Sequence, residues 1–197
     1  MKRTPWWLAC LLPIALTGCV RLDEPEPPAP KVGTQRQAVI KTFGIGSLVI
    51  PMDTTYQNNG TLKAFGLVYK LLSNNVPVNW VILTGKATGG VDFTASGKDL
   101  QTGATVTSAA YRGGPFVIDA ADRTAALPII TAWQAANVTT VHDMTASFSA
   151  DVRRTLVAAP HIAVFLDTNE IIAFTYLNAA GIPDSTGKAW PVATAVT

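Results

Sequence analysis

Cysteine is nearly missing from this chain: of 197 residues only Cys10 and Cys19 carry a thiol. Whatever folds after residue 19 is therefore held by packing, without a disulfide or a thiolate metal ligand. Histidine is almost as scarce, at His142 and His161, so the H-E-x-x-H and C-x-x-C zinc patterns are both absent. The sequence is expected to hold no metal and no cofactor. Charge is sparse too, 14% of residues, with a formal net charge of +2. Lys2 and Arg3 account for that excess, and beyond them the two signs balance. With no basic surplus to neutralise phosphates, nucleic acid is not an expected partner, and no basic patch supports binding to a lipid surface. No G-x-S-x-G elbow occurs. Gly44-Ile45-Gly46-Ser47 precedes a strand-like run instead of opening a helix, which suits a turn and not a phosphate loop.

The clearest positive signal is at the N-terminus. Met1-Lys2-Arg3 is a short basic start, and Trp6 to Leu16 follows as an apolar run containing Pro13. That run is about half of the ~20 residues a helix needs to cross hydrocarbon, so it reads as an export signal and not a permanent span. Leu16-Thr17-Gly18-Cys19 closes it and resembles the lipobox of bacterial lipoproteins. The resemblance implies that residues 1–18 are a signal peptide cut away in processing. It also implies that the Cys19 thiol takes a diacylglycerol and becomes the mature N-terminus, leaving 179 residues. Residues 20–37, VRLDEPEPPAPKVGTQRQ, have four prolines, three acids and little to bury. They read as an extended, solvated tether that reaches up to roughly 50 Å at ~3 Å per residue. In lipoproteins of Gram-negative bacteria an Asp after the cysteine commonly marks retention at the inner membrane. Val20 stands there instead, and outer-membrane delivery is the expectation.

From residue 38 to 197 the chain reads as one domain in which short apolar runs alternate with helical stretches. Ser47 to Pro51 suits a strand buried on both faces. Leu62, Phe65, Val68, Tyr69 and Leu72 recur at helical spacing, with Thr61 as N-cap and Asn74-Asn75 as stop. Val78 to Leu83 is the next strand, and a helix between two such strands predicts a right-handed βαβ unit. Loops and short strands are expected over 84–114, including the alternating VDFTA at 91–95. Phe116 to Asp119 is a further buried strand, followed over 120–136 by a helix that Pro128 starts or kinks, with Leu127, Ile130 and Trp133 facing the core. Strands over 138–142 and 161–167, a short helix over 153–159 and a last helix over 170–180 ended by Gly181 complete the prediction. The fold class expected is α/β: a Rossmann-like, open, mostly parallel sheet with helices on both faces. The turn-rich ending is either a frayed tail or the sign of an incomplete C-terminus.

In such a sheet, ligands gather beyond the carboxyl ends of the strands, which singles out Asp53 and Asp119 as acid/base or cation-binding candidates. N-capping is the alternative role for both. His142 and His161 are the available general bases, and His142-Asp143 is a base with its orienter only if the pair sits in a loop. In Tyr111-Arg112-Gly113-Gly114-Pro115, Arg112 is placed to hold an anion, and Gly113 and Gly114 allow close backbone approach to a ligand. A tight turn into the following strand explains the same residues.

The segments VIPMDTTYQNNGTLKAFGLVYKLL, VPVNWVI, VDF, YRGGPFVID and YLNAAGIPDS resemble an uncharacterised region of large secreted or surface proteins of bacteria, myxobacteria among them. The likeness covers most of residues 47–187 and implies a Rossmann-like, class I glutamine-amidotransferase-like arrangement. That signature requires a nucleophilic cysteine on a strand-to-helix turn, and no cysteine follows residue 19. Three expectations follow for function. The first is a lipid-anchored, non-catalytic envelope module that binds a glycan, peptide or protein. The second is an envelope hydrolase using the histidines with Asp53 or Asp119. The third is a truncated fragment of a larger surface protein.

Overall fold

The computed structural model describes residues 39–58 and 60–192. The basic start, the lipobox with Cys19 and the proline-rich tether lie outside the described residues. In chain order the elements are β1 (Val39–Phe43), β2 (Leu48–Ile50), α1 (Thr54–Gln57), α2 (Thr61–Ser73), β3 (Val78–Val81), β4 (Phe93–Asp99) and β5 (Thr105–Tyr111). They continue with β6 (Phe116–Ile118), a 3-10 turn (Ala120–Asp122), α3 (Arg123–Ala136), β7 (His142–Met144), β8 (Phe148–Leu156) and α4 (Glu170–Ala180).

The eight strands form one sheet in the order β1-β8-β3-β6-β2-β7-β4-β5, and every pairing in it is antiparallel. This corrects the expected Rossmann-like, mostly parallel sheet. The short apolar runs form strands at β2, β3 and β6, but β6 lies between β2 and β3 and pairs with both. The predicted right-handed βαβ unit is therefore not one: α2 joins two strands of the same direction that never touch.

Burial on both faces, which suggested a parallel sheet, has another cause here. Leu48 and Ile50 of β2, with Phe116 and Ile118 of β6, pack under α2 and α3 against Ala64, Leu67, Leu71, Ala126 and Ile130. Val49 and Val117, one residue out of phase, face a second cluster with Phe43, Phe93, Tyr111, Met144 and Phe148. That cluster fills the inside of a sheet curled into a half-barrel. The extent of the curl follows from one contact. Strands β8 and β4 are five places apart in the order, which at ~4.8 Å per strand spans roughly 24 Å in a flat sheet. Yet the rings of Phe148 on β8 and Phe93 on β4 stack with centroids 4.7 Å apart. The sheet has folded over its own aromatic filling.

Helix α2 forms where the periodicity places it, although its buried stripe is Ala64, Leu67, Val68, Leu71 and Leu72, while Leu62 and Phe65 are exposed. Gly60, not Thr61, is its N-cap, and Asn74 closes it. At Gly66 three helices meet: a Cβ there would stand 1.8 Å from the Ala180 carbonyl and 2.7 Å from the Trp133 ring. In α3, Pro128 lies inside the helix; Ile130 is buried, and Leu127 and Trp133 are partly so. Helix α4 ends at Gly181, whose left-handed φ of 77° carries its N–H back to Asn178.

Three predicted elements differ. The 153–159 stretch belongs largely to strand β8, where Val152, Arg154, Thr155 and Leu156 find partners on β3; pairing overrides the helical propensity of its Ala, Arg and Leu. The 138–142 strand starts only at His142. The 161–167 segment pairs with no strand, leaving Phe165 and Leu166 90% and 77% exposed.

Candidate functional site

Antiparallel pairing decides where the predicted site residues go. Because Leu48 lies opposite Ile118 and Ile50 opposite Phe116, the carboxyl ends of β2 and β6 are at opposite ends of the sheet. Asp53 and Asp119 are separated accordingly. Asp119 forms an ion pair with Lys41 of β1 at 2.5 Å. At the same end, the Arg123 guanidinium donates two bonds to Asp143, at 2.6 and 2.7 Å, and a third to the Gly46 carbonyl.

At the other end, Asp53 is the N-cap of α1: one carboxylate oxygen accepts the Thr55 N–H, and the other accepts the Arg112 N–H at 3.1 Å. Two residues on, the Gly114 N–H donates to Asp92 at 3.0 Å. Asp92 also accepts from the Leu83 N–H and the Lys86 ammonium, and its side chain is fully buried. The Trp80 indole N–H holds the Gly114 carbonyl. The Arg112-Gly113-Gly114 loop is thus pinned at alternate residues by two carboxylates. Both glycines have positive φ, and a Cβ on Gly113 would meet the Met52 carbonyl at 2.9 Å. The close approach these glycines serve is to this chain's own backbone. Asp92, which the sequence reading did not single out, is the hub of this end; an aspartate before a strand-like VDFTA pattern carries no signal of its loop partners.

His142 and Asp143 diverge, as neighbours on a strand must. His142 turns inward, with Nδ1 2.7 Å from the Tyr111 hydroxyl and the Tyr56 ring edge-on at 5.1 Å. Burial holds the imidazole below its ordinary value of 6.5 against the pull of Asp99 and Asp53, and burial pushes the Tyr111 phenol up, helped by Tyr56 and Asp53. Both groups are neutral partners at pH 7. His161 stands exposed in the irregular segment before α4.

The His142 shift has a direct consequence for stability. The unfolded chain takes up a proton on this histidine as the pH falls through about 6.5, whereas the folded chain does so only at lower pH. The folded state is therefore expected to weaken from about pH 6.5 downward. Urea unfolding at pH 7.5 and 5.5 checks this: His142→Gln should show a smaller difference between the two than wild type. An equal difference in both proteins would mean that His142 carries none of the dependence.

An open concavity lies elsewhere among the described residues, on the helical side: a groove of about 850 Å³ between α2, α3 and the loop over 181–187. Gly66, Tyr69, Pro128, Ala132 and Trp133 are among the residues that line it. Polar groups line its rim in a fixed orientation. Asn74 and Asn137 each donate their amide N–H to a helix carbonyl, of Lys70 and Trp133, at 2.8 and 3.1 Å. The Trp133 indole N–H is bound to Thr139. One oxygen of Asp184 accepts from the N–H groups of Thr186 and Lys188 and from the Thr186 hydroxyl, and the Lys188 N–H is the main reason its carboxyl lies below the ordinary range. Of these residues the sequence marks Tyr69 and Trp133 as members of helical stripes, Asn74 as a helix stop and Pro128 as a helix start or kink, none of them as a site.

Comparison of the chain with protein-family models, with curated proteins and with solved structures returns no match. No described helix is long and apolar enough to cross a membrane. Among the described residues no group of three or more His, Cys, Asp or Glu side chains gathers as metal ligands would.

Proposed function

We propose that the chain is exported as a bacterial lipoprotein anchored through Cys19 to the cell envelope, at the outer membrane, and that its folded body is a non-catalytic binding module. The observation that carries the anchoring is Leu16-Thr17-Gly18-Cys19 in register after a basic start and an apolar run too short to span a bilayer. The reading of the body rests on how its ionisable groups are used. Asp53 and Asp92 tie down backbone N–H groups, Asp119 and Asp143 are in ion pairs, and His142 is buried against Tyr111. Each of these five groups has an atom engaged within the chain, whereas general acid/base work requires a free group with an orienting partner beside an open cavity. The groove on the helical side is lined by amides, hydroxyls, aromatic rings and small apolar residues, with Lys70 and Asp184 as its charged groups.

Intact-mass measurement on the chain purified from Gram-negative membranes tests the anchoring. The expected product begins at Cys19 and carries the mass of a diacylglyceryl group, and Cys19→Ala accumulates as the full precursor. A wild-type product with a free Cys19 thiol, or with residues 1–18 still attached, would overturn the proposal. For the body, incubation with ester, amide and glycoside substrates should yield no turnover; turnover abolished by His142→Gln would replace binding with hydrolysis.

A further inference from the structure

We infer that the run from His161 to Leu166 is a docking strand, and that it seats on the free edge of β1 in a second copy of this chain. This goes beyond the proposed anchoring and binding role and depends on neither.

Composition marks the run. His161-Ile162-Ala163-Val164-Phe165-Leu166 is made of β-branched, aliphatic and aromatic residues, with no proline, glycine, carboxylate, Lys or Arg among them. A short apolar stretch of that kind pairs readily with any strand edge it meets. Pro160 stands just before it and keeps Ala159 out of the helical region, so the chain enters the run extended.

The fold leaves the run without a ladder. It belongs to no helix or strand, none of its residues has a positive φ, and among the described residues its backbone bonds to no other backbone. Its burial nonetheless alternates as on a strand: Ile162 and Val164 are half-buried, while His161, Ala163 and Phe165 are exposed. Bare backbone flanked by apolar side chains is a template for pairing with another chain.

The sheet supplies the complement. Its two outer strands are β1 and β5. As an edge β5 is broken, because its register with β4 shifts between Ala95 and Gly97, and Ser108 takes a left-handed φ of 50°. Strand β1 instead keeps an unbroken register with β8 from Val39 to Phe43. A lysine commonly guards such an edge, but Lys41 is drawn into its ion pair with Asp119, and Val39 and Ile40 stay 67% and 74% exposed. The five residues of β1 also match the run in length. Within one chain the run and this edge do not pair. Between two copies, the run adds a strand to β1 and the apolar side chains of both are covered. The chain carries both halves of this pairing, which makes a second copy the partner and the contact head-to-tail.

The test uses the full chain purified from membranes, at a large excess of detergent micelles over protein, with its mass read by sedimentation at matched detergent density. Wild type is expected to self-associate with a Kd on the order of 10–100 μM, as a small interface does. Phe165→Lys disables the strand and Ile40→Lys the edge. Both positions are exposed, thermal melting shows that both variants are folded, and each alone should weaken association about tenfold or more. Mixed one to one, the two variants should associate again, because the intact run of one meets the intact edge of the other. Pairing of β1 with β1 would leave Phe165→Lys unaffected, and pairing of run with run would leave Ile40→Lys unaffected. Either result overturns the inference, as does a mixture that stays dissociated. A wild-type chain that is monomeric at about 100 μM also overturns it, and if that chain is lipidated at Cys19 the anchoring stands.

Discussion

Phe148→Ala is expected to destabilise the protein by about 3–5 kcal/mol, the range for deleting a buried aromatic ring. Phe148 is the keystone of the curled sheet: its ring lies 5.2 Å from Phe43 and 4.7 Å from Phe93, which in turn stacks on Tyr111 at 4.8 Å. The other rings of the stack are rigid and lie on three other strands, β1, β4 and β5, so the space left by truncation cannot be filled by small side-chain adjustments. A substitution at Phe65, 46% exposed on α2, removes as large a ring with far less effect. Urea unfolding of the two variants side by side checks this. A loss under 1 kcal/mol for Phe148→Ala would mean that the two wings of the sheet do not depend on each other through this stack.

Asp92→Ala should rank with it, at about 3–5 kcal/mol, for a different reason. The carboxylate is fully buried and accepts from the Lys86 ammonium and the N–H groups of Leu83 and Gly114. Its removal leaves the largely buried Lys86 ammonium with only the Gly90 carbonyl and leaves two backbone donors with no partner, and each is costly in a low-dielectric setting. Asp92→Asn retains one acceptor oxygen and should lose less. Besides the unfolding free energy, hydrogen exchange reports locally: protection at Gly114 and Leu83 should fall first. Unchanged exchange at both would show that the loop is held by other contacts.

The parts of the fold visible in the sequence are those that local chemistry determines. The Leu48–Ile50 and Phe116–Ile118 runs are short, apolar and bounded by turn residues, which suits buried strands, and α2 shows its period through Leu62, Phe65, Val68, Tyr69 and Leu72, of which Val68 and Leu72 are buried. Gly181 marks the end of α4 because it takes the left-handed conformation there. Strand direction is not local. A run buried on both faces suits a parallel sheet covered by helices, and equally an antiparallel sheet with helices outside and its own curl inside; Val49 reads the same in both. Strand β8 was hidden because its inward positions, Phe148, Ala150 and Val152, include small residues that give weak alternation, while its Arg153-Arg154-Thr155-Leu156 end has helical composition.

The site was less legible still. Asp53, Arg112 and Gly114 do share one end of the sheet, but through backbone N–H groups that any residue possesses. The groove draws on α2, α3 and a loop past residue 180. Neither fact leaves a spacing in the sequence.

The strand order also governs when the protein can fold. Among β1, β2 and β3 no two are bonded: β2 must wait for β6 and β7, β3 for β6 and β8, and β1 for β8 alone, with Val39 opposite Val152. The β4–β5 hairpin is the one pairing that forms between consecutive strands. A chain emerging from its N-terminus therefore remains without a sheet through most of its synthesis, because loop-closure entropy must be met before distant strands meet. Three of the seven pairings, β2–β6, β3–β6 and β4–β5, need nothing beyond Ile118, and the other four wait for β7 or β8, so the curl closes only when the last strand has been made.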